Sequence, residues 1–463
     1  MRQIKNGFTL APALTLTMIL GLIPLFASAV DNASSVLPAK NLAQQLDGQI
    51  AELVTTYKAL HAHPELSHHE QKTSALFASE LRKAGYRVTE RVGKYPDGSQ
   101  AYGVVAILEN GPGPRLLLRA DLDALPIVEE TGLSYASQEK GINQTGQEVG
   151  VMHACGHDVH TTSLIGTARA MAANRSSWHG TLMLIGQPSE ETLDGAKAML
   201  ADHLYERFGT PDLAIMLHDT NTLAAGTVSV TSGNTAAGVT SIDVTMRGIG
   251  GHGARPQVTI DPVVMAAEFI VQLQTIVSRQ EDPLDPAVVT VGSIHGGTKR
   301  NIIPNEVTMQ LTTRAYSDKA MQTIIDGVQR TARGVALSAG VPDNLQPVVT
   351  IVREESGGAL INDPALSDRV QTALRNALGA DQIKPEGPVM GSEDFGNFGL
   401  PDHKIPVVMF RLGAMDPVKF AAAQKIGTTL PGMHTSRFAP TPELTLRTGV
   451  TAMTSVAIAL MQK

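Results

Sequence analysis

The sequence predicts an α/β catalytic domain with a central mixed sheet, interrupted by a smaller ferredoxin-like β-α-β-β-α-β domain. Two observations carry this. Apolar, strand-length runs alternate with stretches of helical periodicity on both sides of residues 238–353, the pattern of a sheet covered by helices. Within 238–353 the order changes to strand, helix, strand, strand, helix, strand, over roughly 115 residues, enough for a core of its own.

In chain order, Leu42, Leu46, Ile50, Leu53, Tyr57 and Leu60 recur at helical spacing and predict one helix. A second runs from His69 to Ala84, where Gly85 ends it. Ala101 to Leu108 and Arg115 to Ala120 read as a strand pair joined by the turn Asn110-Gly111-Pro112-Gly113. After a polar stretch from Thr131 to Gly150 come a small-residue helix from Thr161 to Ala173, a strand from Gly180 to Gln187, a helix opening near Asp194 and a strand from Asp212 to Leu217. The insertion opens with a strand from Thr240 to Arg247. Asp261 then caps a helix with Pro262 in its first position. Strands from Ala287 to Ile294 and Glu306 to Tyr316, a helix from about Asp318 to Leu337 and a strand from Pro347 to Val352 complete it. A helix from Pro364 to Leu378, a strand from Pro406 to Leu412 and a final helix from Pro442 to Met461 return to the first domain. The expected division is a leader over 1–29, the catalytic domain over 30–237 and 354–463, and the inserted domain over 238–353.

Composition narrows the function. With 463 residues, 43% hydrophobic and 17% charged, the chain is neither disordered nor fibrous. Lys+Arg 37 against Asp+Glu 44 gives a net charge of −7 with no basic run, so no nucleic-acid partner is expected. Arg2 and Lys5 precede an apolar run from Phe8 to Phe26 and the small residues Ala27-Ser28-Ala29, the layout of an export signal. Pro24 and that small-residue site favour cleavage over retention as a membrane anchor. A mature chain beginning near Val30 loses two positive charges and no acids, so −7 becomes −9, and it is expected to be periplasmic or secreted. No later segment is expected to be long and apolar enough to span a membrane. The single cysteine, Cys155, cannot form an internal disulfide. A lone thiol in an oxidising compartment points to one that something occupies.

Cys155 lies in the densest constellation of the chain. His153, Cys155, His157, Asp158 and His160 place five metal-capable side chains within eight positions. Thiolate with imidazole is a zinc-type donor set that other divalent ions also accept; the alternative is an inert buried cysteine among hydrogen-bonded histidines. Gln187-Pro188-Ser189-Glu190-Glu191 follows an apolar strand that Pro188 stops. Adjacent carboxylates point in different directions, so one can bind metal while the other handles protons, unless both are solvated acids at a helix start. His218 follows another strand and His434 lies beyond a third, so four segments bring ligand-type residues to one sheet edge.

These residues resemble the zinc-type metallopeptidase family of aminoacylases and carboxypeptidases, and within it the amidohydrolase branch of hippurate and auxin-conjugate hydrolases. The matching segments are His61 to Leu66, Leu118 to Ile127, His153 to His160, Gln187 to Glu191, Gly250 to Pro256, Asn301 to Pro304, Met390 to Phe395 and His434 to Phe438. The resemblance implies two divalent ions per subunit, Zn²⁺ or Mn²⁺ with Co²⁺ or Ni²⁺ also acceptable, and a lid domain that also dimerises. It implies Cys155, His157, Glu191, His218 and His434 as metal ligands, Glu190 as general acid/base and Asp123 orienting a ligand from behind. On the lid, His252 is the candidate donor to the carbonyl oxygen, and Asn301 and Arg314 are candidates for gripping a substrate carboxylate. The implied substrate is an N-acyl amino acid; the alternative is a dipeptidase or carboxypeptidase with the same two-metal machinery. Ser189 departs from the branch's usual Ala, and Thr192-Leu193 from a commoner Gly-containing turn; both bear on the pocket wall.

Other readings are weaker. Gly248-Ile-Gly-Gly-His-Gly253 matches a dinucleotide fingerprint, but Pro256 and Pro262 break the helix that should follow. Cys155 as a nucleophile lacks an obvious base in its own loop. A non-catalytic binding protein would most simply have lost Glu190 or a ligand, and none is missing.

Overall fold

The computed structural model describes residues 39–399 and 404–462; the expected leader lies outside them. Helices α1 (Ala39–Asp47) and α2 (Ile50–Ala62) take the place of the single predicted helix. The break falls at Gly48, whose backbone freedom costs most in a helix interior. Helix α3 (Gln71–Lys83) follows, then strands β1 (Arg87–Lys94), β2 (Gln100–Asn110) and β3 (Arg115–Asp121). Helix α4 (His157–Ala173) leads into β4 (Gly180–Gln187), and α5 (Gly195–Ala201) and α6 (Leu204–Phe208) into β5 (Leu213–Ala224) and the short β6 (Val228–Val230).

The main sheet has the order β1-β2-β4-β3-β5-β11-β6, where β11 is Val407–Met415. β2 and β3 are therefore not a pair, although their turn exists. β4 lies between them, antiparallel to β2 and parallel to β3. Parallel neighbours need a crossover, which α4 supplies, and the turn packs onto the start of β4, where Thr181 N–H donates to the Pro114 carbonyl at 2.9 Å. β4, β3, β5 and β11 run parallel, so their C-terminal ends open on one edge.

The second sheet comprises β7 (Gly238–Arg247), β8 (Ala287–His295), β9 (Glu306–Ala315) and β10 (Val348–Gly357), with α7 (Pro262–Thr275) and α8 (Asp318–Ser338) between strands. Its order is β8-β9-β7-β10, and the chain order is the predicted strand-helix-strand-strand-helix-strand, ending at Gly357. Asp261 caps α7 by accepting from Val263 N–H, and Ser317 caps α8 by accepting from Ala320 N–H. Phe269, Leu273, Met309, Ile324 and Val328 are fully or almost fully buried in a core separate from that of the main sheet.

Helices α9 (Pro364–Leu378), α10 (Pro417–Lys425) and α11 (Pro442–Met461) complete the chain. Contrary to the expectation, α11 is also long and apolar enough to cross a membrane, but 72% of its most apolar stretch is buried. It packs on α4, α9 and α2, as a core helix does. In the same core, Phe77 of α3 lies fully buried against Gly186 of β4, where a Cβ would come within 2.7 Å of its ring. Phe77→Ala should therefore lower stability by about 3–5 kcal/mol, read as a shift of the denaturation midpoint at constant slope. A shift under about 1 kcal/mol would show that the ring does not fill this space.

Candidate metal centre

The ligand-type residues converge. Helix α4 begins at His157, four residues earlier than predicted, so His157 and His160 stand on its first turn rather than in a loop. Gly156 precedes it with φ +79°, and any Cβ there would lie 2.3 Å from the Asp219 carboxylate, so only glycine fits between Cys155 and His157. His218 lies within β5, which runs on to Ala224 instead of ending before it. His434 sits on a loop docked by its own N–H donating to the Ala154 carbonyl at 2.8 Å. Cys155 Sγ is 3.3 Å from His434 Nε2 and 3.7 Å from His218 Nε2. His434 Nε2 is 3.5 Å from Glu191 Oε2, and His157 Nε2 is 3.8 Å from both Glu190 Oε2 and Glu191 Oε1.

These atoms suit divalent ions. Donor atoms of Cys155, His157 and His218, of Cys155, Glu191 and His434, and of His157, Glu190 and Glu191 form three groups, each within 4.8 Å. His157 Nδ1–H donates to the Asp123 carbonyl at 2.9 Å, and His218 Nδ1–H to the Asp219 carbonyl at 2.7 Å. In both rings Nδ1 is thus held as the donor and Nε2 is turned toward the cluster, the orientation that a backing acceptor gives a metal-binding imidazole. His157 Nε2 and Glu191 Oε1 are buried without hydrogen-bond partners, as expected of atoms placed for an ion. Burial, reinforced by Glu393, Glu191 and Asp394, holds the Glu190 carboxyl well above the usual range. Burial and the nearby Glu191 and Glu190 carboxyls do the same for the Cys155 thiol.

Asp123 lies beside His157, with Oδ1 3.3 Å from His157 Nδ1 and Oδ2 accepting from Ser67 and from Glu191 N–H. Arg314 lines the same cavity of about 530 Å³ as Cys155, Glu190, Glu191, His218 and His434. His252 and Asn301 line neither it nor the donor groups. They are exposed on a minor strand pair, Gly251–His252 with Ile302–Ile303, where Gly253 N–H donates to the Asn301 carbonyl. The reason is strand length. Arg314 pairs with Val239 at one end of β7 and β9, while Glu306 pairs with Arg247 at the other, about 27 Å away along the strand. The helix required after Gly253 by a dinucleotide fingerprint is also missing, since α7 opens only at Pro262.

The contacts behind the site are not evident from the sequence. Arg119 is almost fully buried and donates to Gln187 Oε1, Asp121 Oδ2, Glu393 Oε1 and Asp394 Oδ1 at 2.6–3.0 Å. His160 Nδ1–H donates to Asp121 Oδ1, and its Nε2 accepts from Asp219 N–H. A charged residue inside an apolar strand was the available signal at Arg119. Ser189 does not face the cavity: its hydroxyl bonds Glu70 and Tyr95, and its N–H donates to Glu70 Oε1. Ser189 (φ +54°) and Leu193 (φ +58°) bracket the Glu190–Glu191 turn in left-handed conformations, as do His68 (φ +69°) and His434 (φ +61°) beside the site.

Fold and cluster together define a hydrolase centre of metal-ligating type at the C-terminal edge of a mixed α/β sheet. The sequence profile of Peptidase family M20/M25/M40 matches residues 117–425, and the chain belongs to this family. It is 34% identical over 385 residues to the IAA-amino acid hydrolase ILR1-like 4 of Arabidopsis thaliana, covering 82% of each chain. It is 35% identical over 376 residues to the N-acetyldiaminopimelate deacetylase of Leuconostoc citreum, covering 80% of this chain and 90% of that one. A crystal structure from Bacillus subtilis, described as a dinuclear metal-binding peptidase of the M20 family, superimposes with a TM-score of 0.71 at 27% identity, covering 90% of this chain and 99% of the other. The protein is a metal-dependent hydrolase of amide bonds.

Behind α4, fully buried His61 bridges Asp158 at 2.7 Å and Glu129 at 3.1 Å. Burial alone would lower the ring's pKa, but its hydrogen bonds to the two carboxylates raise it to about 10. The charged ring therefore stabilises the fold fully below its ordinary value near 6.5, and that contribution fades as pH rises toward about 10. The stability difference between wild type and His61→Gln, measured by urea denaturation, should shrink steadily from pH 6.5 to 10. A constant difference would show that His61 is not charged in the fold.

Proposed function

We propose that the protein is an N-acyl amino acid amidohydrolase, with Cys155, His157, Glu191, His218 and His434 holding two divalent ions and Glu190 as the general acid/base. The supporting observation is the convergence of these five donors around a buried carboxyl, in a cavity that Arg314 also enters. The names of the relatives from Arabidopsis and Leuconostoc describe amides of amino acids. Zn²⁺ and Mn²⁺ are the candidate ions. When bound, such ions supply Lewis-acid charge that brings the pKa of water down to about 7. Glu190 then takes a proton from the water attacking the amide carbonyl and returns it to the leaving amine. Its burial suits this shuttle because the neutral carboxyl is an accessible state. Asp123 keeps His157 oriented, and Arg314, which has no carboxylate partner among the described residues, takes the substrate carboxylate.

The second sheet is read as a lid and dimerisation domain. Exposed His252 and Asn301, at the far end of its strands, suit a contact with a second copy better than one with the cavity of their own chain. The chain is proposed to work as a dimer in the periplasm or outside the cell. Treatment with a chelator should abolish hydrolysis of N-acetyl or N-benzoyl amino acids, and added Mn²⁺ or Zn²⁺ should restore it; activity surviving prolonged chelation would refute the metal mechanism. Glu190→Gln should retain metal by elemental analysis but lose roughly three or more orders of magnitude in kcat. A rate near wild type would remove Glu190 from the mechanism, and faster cleavage of dipeptides than of N-acyl amino acids would shift the assignment to a dipeptidase.

A further inference from the structure

β11 is buried along its whole length, and Arg411 is its only charged residue. A guanidinium in such a strand needs an anionic partner. In the sheet Arg411 pairs with His218 of parallel β5, so the two side chains leave the same face, and Arg411 lines the cavity with the metal donors. Its contacts inside the protein are weak. Nη2 reaches the Thr235 carbonyl at 3.4 Å, and Nη1 stands 3.8 Å from Glu386 Oε2, an oxygen with no hydrogen bond of its own. The other Glu386 oxygen accepts from Thr222. A guanidinium has five N–H donors, and among the described contacts Arg411 uses one of them, at long range.

Arg314 enters the same cavity from the second sheet, and its hydrogen bond goes to the Ser392 hydroxyl. One cavity thus holds two arginines from two sheets, neither closed by a tight carboxylate. One guanidinium accounts for the carboxylate of a simple N-acyl amino acid, and the second is left over.

We propose that Arg411 is a specificity residue that binds a second carboxylate, so that the preferred substrates are amides carrying two carboxylates. This rests on the amidohydrolase reading above. The second carboxylate comes either from the side chain of a dicarboxylic amino acid or from a dicarboxylic acyl group; in either place it matches the forked guanidinium, whereas a neutral isostere leaves that guanidinium unsatisfied.

The test uses metal-loaded enzyme and matched pairs: N-acetylglutamate against N-acetylglutamine for the side chain, and N-succinylleucine against the monoamide of that succinyl group for the acyl arm. In wild type, kcat/KM should favour the dicarboxylate of at least one pair by tenfold or more, chiefly through KM, and the favoured pair identifies the source. In Arg411→Met that ratio should collapse to near one, and Arg411→Lys, which keeps the charge without the fork, should fall between. Wild-type ratios near one in both pairs would overturn the proposal, as would a ratio unchanged in Arg411→Met. If Arg411→Met does not fold, Arg411→Lys and the wild-type ratios decide. Calorimetric binding of the same pairs to Glu190→Gln reads recognition without turnover. An enzyme that binds the dicarboxylate selectively but hydrolyses none of the four would overturn the amidohydrolase reading and leave Arg411's role standing.

Discussion

The site depends on one buried cation. Arg119, inside β3, donates at once to Asp121, Gln187, Glu393 and Asp394, joining the ends of β3 and β4 to a segment more than 270 residues away in sequence. From Asp121 the chain of bonds continues through His160 to the backbone at Asp219, and the Asp219 carbonyl fixes the ring of His218. Asp394 also takes the N–H of Ala196 at the start of α5. Breaking such a buried ionic network by removing one member typically costs about 3–5 kcal/mol. Here the damage would extend beyond stability, because the network sets the positions of residues in the donor cluster.

The network also shapes the charge around Glu190. Glu393 and Asp394 lie close enough to help push its carboxyl upward, while Arg119 opposes them more weakly. Desolvation and like charge, the two effects that disfavour a carboxylate, act on Glu190 together. Burial raises the Glu191 carboxyl as well, to about 8, but His157 opposes the rise there; Glu191 lies 3.5 Å from His434, whereas Glu190 is pushed further by Glu393.

Much of this was legible because ligand chemistry is dense and local. His153 to His160 and Glu190-Glu191 stand out as residue types in short windows, and the strand and helix order of the second sheet followed from periodicity. What the sequence concealed is spatial order. Nothing in the residues of β2 and β3 shows that β4 comes between them, because the crossover through α4 decides it. Helix α4 was placed four residues late because His157, Asp158 and His160 are weak helix formers, held in the first turn by their partners. The separation of His252 and Asn301 from Arg314 reflects the length of β7 and β9, which motif spacing does not encode. In the sequence Arg119 is one charge in an apolar strand, and its partners at Glu393 and Asp394 can be identified only in three dimensions.

Four non-glycine residues around the site, His68, Ser189, Leu193 and His434, hold left-handed backbone conformations, each costing roughly 1–3 kcal/mol. For anyone engineering this enzyme they mark a boundary between tolerance and activity. Glycine at Leu193 would relax the backbone, whereas glycine at Ser189 would remove the hydroxyl that bonds Glu70 and Tyr95, and at His434 a member of the donor cluster. Even at Leu193 the change would loosen the turn carrying Glu190 and Glu191, so thermostability gained there would be drawn from the rigidity that aims these carboxylates.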